Sequence, residues 1–143
     1  MAAEVHPFVA DRGVSMQGSF PVSNTGLAAA SKFLAACMGQ FGLGEAVTHR
    51  FSVILDEICA NMIRHDPSLD ESKKFTVEVT TTRDGAQLRI SDPGQPFNPL
   101  DFRHAQRPEI GGHGITLVKG LANAASYERS EGMNCLTVSV SGS

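Results

Sequence analysis

The sequence is short of positive charge, of cysteine and of long apolar runs. Lys and Arg number 12 against 15 Asp and Glu, a formal net charge of −3, so the basic footprint that a nucleic-acid binder needs is missing. No apolar run is long enough to span a bilayer, and the N-terminus MAAEVHPFVADRG lacks a signal-peptide pattern. Direct binding to nucleic acid or membrane is therefore not expected, and a soluble cytoplasmic domain is. The 3 cysteines, Cys37, Cys59 and Cys135, are widely spaced and form no CxxC pair; free buried thiols in a reducing compartment fit better than a redox or metal role. The 5 histidines show neither HExxH nor paired Cys/His spacing. A GxxxxGK[ST] loop, a GxGxxG after a strand and a nucleophile elbow are also missing, which removes support for P-loop, Rossmann and Ser/His/Asp sites.

What is present is one ordinary globular domain. The 143 residues are 41% hydrophobic and 19% charged, enough to bury a single core, expected over about residues 14–140 of a domain spanning 1–143. A short strand is expected around Val14–Phe20. Ser23 and Asn24 are capping candidates ahead of a helix on which Leu27, Ala30, Leu34, Cys37, Met38 and Phe41 recur at helical spacing, ending at Gly42. A second helix runs from about Gly44 to Arg64 and is stopped by Asp66-Pro67. From Phe75 the period changes to 2: FTVEVTTT and AQLRISD alternate about the turn signal RDG. The segment from Pro93 to Gly112 is rich in Pro and Gly without a sustained period, the mark of a binding loop or lid. GITLVKGLANAA then reads as a helix with Ile115, Val118, Leu121 and Ala122 as its apolar side, and SYERSEGMNCLTVSVS as a hairpin turning at Glu131-Gly132. Antiparallel hairpins with helices on one side describe an α+β fold, a two-layer sandwich with a mixed, mostly antiparallel sheet. The N-terminal dozen residues carry no readable signal.

Three segments carry residues that a stability-driven sequence would not choose. On the second helix Glu57, Asn61 and His65 fall at i, i+4 and i+8, a polar stripe beside the apolar row Phe51, Ile54, Leu55, Ile58 and Met62. A carboxylate and a carboxamide at such an edge can hold a hydrated Mg2+ or deprotonate a hydroxyl; a solvated polar flank is the other reading. In ISDPGQPFNP, Asp92 stands where a strand runs out, able to accept from an exocyclic amine, with Gly94 allowing close backbone approach to a flat ligand; a plain Asp-Pro-Gly turn is the alternative. In GGHGITLVKG, glycines 111, 112 and 114 stand directly before a helix, where free N–H groups and the helix dipole favour an anion; glycines also relieve crowding at such an entry.

Taken together, DEICANMIRHD, DPGQPFNP and GGHGITLVKG resemble the N box, first glycine box and second glycine box of the GHKL (Bergerat) ATP-binding fold, in the right order and on a helix, a strand end and a helix start. The short lid, the PFNP after the Asp-x-Gly and the small size narrow the resemblance to the RsbW/SpoIIAB-type anti-sigma-factor serine/threonine kinases, over roughly Asn24 to Val140. That resemblance implies ATP and Mg2+ as cofactors. It implies Glu57 as general base toward a substrate serine, Asn61 as the Mg2+ ligand, Asp92 as acceptor for the adenine amino group and Gly94 as the close-approach glycine. It implies a phosphate cradle from Gly112, Gly114 and the helix start at Ile115, and a lid arginine on the transferred phosphoryl group, Arg103 or Arg107, with Arg107 favoured by its nearness to the second box. His65 matches a histidine at the end of this helix with a structural role. The sequence departs from the family at Pro96, which replaces a third glycine, and at the last strand: where relatives carry Gly-Thr this chain has GMNCLTV, so Cys135 or Thr137 is left to contact the adenine.

The implied function is a kinase that phosphorylates a STAS-type anti-anti-sigma protein and sequesters a sigma factor; homodimerisation is implied by the likeness alone. A nucleotide-binding switch without phosphoryl transfer is the alternative, favoured by the altered last strand and opposed by the presence of both Glu57 and Asn61. A histidine-kinase module is disfavoured, because its lid is longer and the helix Asn24–Phe41 contains no histidine.

Overall fold

Alternation of apolar and polar side chains builds a sheet, and two helices with continuous apolar stripes cover one face of it. The computed structural model describes residues 4–7, 14–101 and 121–141. Its strands are β1 (Glu4–Pro7), β2 (Val14–Pro21), β3 (Lys74–Thr81), β4 (Gly85–Asp92), β5 (Ala124–Ser130) and β6 (Met133–Ser141), and its helices α1 (Asn24–Gln40) and α2 (Glu45–His65). The strands form one 6-stranded sheet in the order β1-β2-β3-β4-β6-β5. The result is the expected α+β sandwich, except that every described pairing is antiparallel where a mixed sheet was expected.

Phe75, Val77 and Val79 on β3, Ala86, Leu88 and Ile90 on β4, and Leu136, Val138 and Val140 on β6 share the buried core with Ala30, Phe33, Leu34 and Met38 of α1 and Phe51, Ile54, Leu55, Ile58 and Met62 of α2. α1 packs on β2 and β3, and α2 on β4 and β6, so the helices lie across neighbouring parts of one sheet face. The opposite face carries the alternate residues, among them Thr76, Glu78, Gln87, Arg89 and Ser91. Phe51 is fully buried; truncating such a residue to alanine costs about 3–5 kcal/mol.

Local chemistry sets the ends of the elements. Ser23 opens α1 by accepting from Gly26 N–H at 3.0 Å, filling one of the donors that a helix start leaves free. Asp66 closes α2 with extended backbone ahead of Pro67. The β5–β6 turn places both Glu131 and Gly132 at positive φ, 52° and 78°, the geometry of a tight hairpin turn that matches strand twist.

Two elements differ from expectation. β1 falls where no signal was readable and pairs with β2 over Glu4↔Gln17 to Pro7↔Val14; four residues are too few to show a period, and the strand exists because it covers the edge of β2. The chain also leaves the helical pattern earlier than GITLVKGLANAA suggests. Asn123 N–H donates to Ser139 C=O at 2.8 Å and its side chain accepts from Ser141 N–H at 2.7 Å, so β5 already begins at Ala124. No helix among the described residues is long and apolar enough to cross a membrane.

Candidate nucleotide site

α2, which carries Glu57 and Asn61, packs on β4 and β6, and Asp92 ends β4 near enough to α2 for its charge to act on Cys59. Glu57 is half-buried at the border of the apolar row, and Asn61, one turn on, is only 8% exposed. Asn61 Oδ1 is buried with no hydrogen-bond partner among the described residues, a condition that costs about 1–3 kcal/mol and that native folds seldom leave unexplained. The described residues contain no group of three or more His, Cys, Asp or Glu side chains able to hold a metal. The described residues therefore offer no all-protein cage, and a single hard oxygen fits a cation that keeps several waters and takes its other ligands from phosphates, as Mg2+ does.

At the other end of the site Asp92 closes β4 directly opposite Asn134 of β6. Asp92 Oδ1 accepts from Gly94 N–H at 2.9 Å and from Asn134 Nδ2 at 3.1 Å. Its Oδ2 takes no hydrogen bond from the described residues, which leaves one acceptor for a ligand amine. Burial pushes the Asp92 carboxyl above its ordinary range; the bonds from Asn134 and Gly94 pull the other way, the negative charge of Asp66 adds to the rise, and Arg129 opposes it. Gly94 is closely packed: a Cβ there would stand 2.2 Å from Asp66 Oδ2 and 2.9 Å from Asp92 Oδ1, so both carboxylates would have to shift.

Asn134, only 7% exposed, is the partner of Asp92 that the sequence did not reveal. It donates to Asp92 Oδ1 and, at 2.8 Å, to Gln95 C=O, and it accepts from Phe97 N–H at 3.1 Å and from the Tyr127 hydroxyl. Each donor and the acceptor oxygen of its carboxamide is engaged. The expectation that Cys135 or Thr137 serves here is corrected by the register. Thr137 pairs with Arg89 and Cys135 with Ser91, so both side chains lie on the face away from Asp92. Counting back from the Glu131-Gly132 turn would have placed Asn134 across from Asp92; a carboxamide in an otherwise apolar or hydroxyl-bearing strand was the available signal.

Cys37, Cys59 and Cys135 are free and buried. Burial pushes the Cys37 thiol up to about 11, and burial, followed by the charges of Asp56 and Asp92, pushes Cys59 higher still, which keeps both as neutral core residues. Of the remaining candidates, the second glycine box with Gly112, Gly114 and Ile115, and the lid arginines Arg103 and Arg107, lie outside the described residues.

One antiparallel sheet with α1 and α2 on one face is the α+β sandwich expected of the Bergerat class. Residues 20–140 match the model of the histidine kinase-like ATPase domain, and the chain belongs to that family. It is 29% identical over 97 residues to the serine/threonine-protein kinase BtrW of Bordetella bronchiseptica, a match spanning 62% of this chain and 68% of that protein. Its fold matches the crystal structure of the RsbU and RsbW domains of Rv1364c from Mycobacterium tuberculosis with a TM-score of 0.66 at 13% identity, over 89% of this chain and 32% of that longer one. The RsbW-type GHKL resemblance read from the boxes therefore stands.

Proposed function

We propose that the protein is an ATP- and Mg2+-dependent serine/threonine kinase that acts on a STAS-type anti-anti-sigma protein and sequesters a sigma factor. The observation that carries the nucleotide part is the buried, unpartnered Oδ1 of Asn61, one helical turn from Glu57: a fold tolerates such an atom where a ligand completes it. The free Oδ2 of Asp92 supports a base amine at the far end of the same site. The kinase part rests on the likeness to BtrW and on Glu57. The partners rest on the family resemblance, and Gly112, Gly114, Ile115 and Arg107 enter as the phosphate cradle and lid arginine by resemblance alone.

In this reading Asp92 Oδ2 accepts from the adenine amino group and Asn61 Oδ1 holds the cation, which when bound draws charge from the phosphates. Glu57 takes the proton from the acceptor serine as its oxygen bonds to the terminal phosphorus; the bond from that phosphorus to the bridging oxygen breaks and ADP leaves. Positioning and electrostatics carry most of such a transfer. The last-strand departure that favoured a switch without transfer loses weight, because Asn134 buttresses Asp92 in place of the missing threonine. The test is phosphoryl transfer from ATP to a STAS-domain partner by the native chain and by Glu57→Gln, which keeps shape and removes the base. A fall of ~10²–10⁴-fold with unchanged ATP binding is expected; equal rates would remove Glu57 from the mechanism.

A further inference from the structure

One peptide group in the site is gripped at both ends by charged side chains from opposite sides. Arg129 Nη1, on β5, donates to Gly94 C=O at 2.7 Å, and Asp66 Oδ2, at the end of α2, accepts from Gln95 N–H at 2.9 Å. Both are charge-assisted bonds, stronger than neutral ones, and they act on the oxygen and the hydrogen of the same Gly94–Gln95 peptide. Rotation of that plane would break both. Glycine is the residue at which a plane turns most readily, and here the Asp66 carboxylate packs directly against it. Asp66 is itself held from the other side: its Oδ1 accepts from Ser68 N–H at 2.9 Å and from the Ser68 hydroxyl. Although burial pushes it up, the bonds from Ser68 and Gln95 hold the Asp66 carboxyl below its usual range.

We propose that Asp66 and Arg129 are positioning residues for nucleotide binding: a two-sided clamp on the Gly94–Gln95 peptide that sets the loop beside Asp92 and ties α2, the helix of Glu57 and Asn61, to the β5–β6 hairpin. Neither side chain touches the reacting atoms. The clamp explains why Asp66 stands where a helix stop alone requires no charge, and why an exposed position on an edge strand carries an arginine aimed inward. It rests on the nucleotide reading above.

The test is equilibrium binding of ADP, and of ATP with and without Mg2+, to the full chain and to Arg129→Ala, Arg129→Lys, Asp66→Ala, the double alanine variant and Ser68→Ala, with thermal unfolding of each. Arg129 is exposed on an edge strand, so its variants fold even where Asp66→Ala does not. Each single alanine change is expected to weaken ADP about tenfold, with the enhancement by Mg2+ unchanged. Because both residues hold one peptide, the double variant should lose at most about twofold more, well short of the product of the singles. Arg129→Lys should recover most of the affinity, and Ser68→Ala, which removes one of the two bonds on Asp66 Oδ1 and keeps the other, should lose less than Asp66→Ala does. A folded Arg129→Ala that binds ADP like the native chain overturns the clamp, as do losses that simply multiply. Absence of ADP and ATP binding by the folded native chain overturns instead the nucleotide reading beneath it.

Discussion

Two buried asparagines flank the proposed nucleotide site, and the fold treats them in opposite ways. Asn134 is 7% exposed and saturated by Asp92, Gln95, Phe97 and Tyr127; Asn61 is 8% exposed and its Oδ1 has no partner among the described residues. Equal burial of the same side chain therefore serves stability at one end and is spent against it at the other. The base end of the proposed site is a finished network that exists before any ligand arrives, whereas the helix end holds an acceptor that no described residue satisfies. A pre-formed end loses little order on binding, while an orphaned end confines its favourable term to the occupied state. The contrast predicts that substitutions at the two asparagines have opposite signs in the ligand-free protein.

The largest effect is expected at Asn134. Replacing it by leucine removes the bonds that Gln95 C=O, Phe97 N–H and the Tyr127 hydroxyl make to it, and should lower stability by about 3 kcal/mol, read as an earlier midpoint in urea with an unchanged slope. A midpoint within error of the native one would show that the network contributes nothing. Next, Asp92→Ala removes the acceptor proposed for the base and the partner of Asn134 Nδ2 and Gly94 N–H, while also removing a carboxylate that burial disfavours, so binding should lose more than stability: about 2 kcal/mol, or roughly thirtyfold, in ADP affinity, against about 1 kcal/mol in stability. Loss of stability without loss of binding would make Asp92 a structural residue. Smaller, and opposite in sign to the first, Asn61→Leu removes an unsatisfied buried atom and should stabilise the ligand-free chain by about 1 kcal/mol, or about 3 °C, while abolishing the Mg2+-dependent part of ATP binding. A destabilised Asn61→Leu would mean that Oδ1 is satisfied in solution without a ligand.

Much of this contrast was legible in the sequence, and the rest was hidden for physical reasons. Glu57 and Asn61 stand out because helical spacing fixes which residues share a border, and Asp92 because a strand ends there. Asn134 was hidden because its role depends on cross-strand register, which the hydrophobic pattern sets only once the neighbour is known; reading Thr137 as the replacement placed it on the wrong face by one odd step. Asp66 was read only as a helix stop, since the amide it binds, Gln95, is 29 residues away. Arg129 sits on a strand that is mostly exposed, where charge carries no signal. The start of β5 was missed because Ala124 and Ala125 suit a helix as well as a strand, and the choice was made by Asn123 bonding to β6.

The smallest expected effect is on pH, and it separates the two carboxylates that press on Gly94. Burial first, and then the charge of Asp66, raise the Asp92 carboxyl, while Asn134, Gly94 N–H and Arg129 oppose the rise; the Asp66 carboxyl is lowered. A raised folded value means that the contribution of Asp92 to stability is fully present below its unfolded value and lost as pH rises through the folded one. For Asp66 the contribution is present above the unfolded value and lost as pH falls through the folded one. Acidification therefore relieves Asp92 while it releases the Asp66 clamp, and the two offset each other in overall stability. Binding does not share this cancellation, because a protonated Asp92 has lost acceptor strength and a protonated Asp66 has weakened its hold on Gln95. ADP affinity should accordingly fall on acidification with a midpoint above about 4, the ordinary aspartate value, with little matching change in thermal stability. Asp92→Asn should bind weakly with a profile flattened over the same range. A native midpoint at or below the ordinary value would mean that Asp92 is better solvated in the free protein than its burial implies, and that the base end of the site is less finished than its hydrogen bonds suggest.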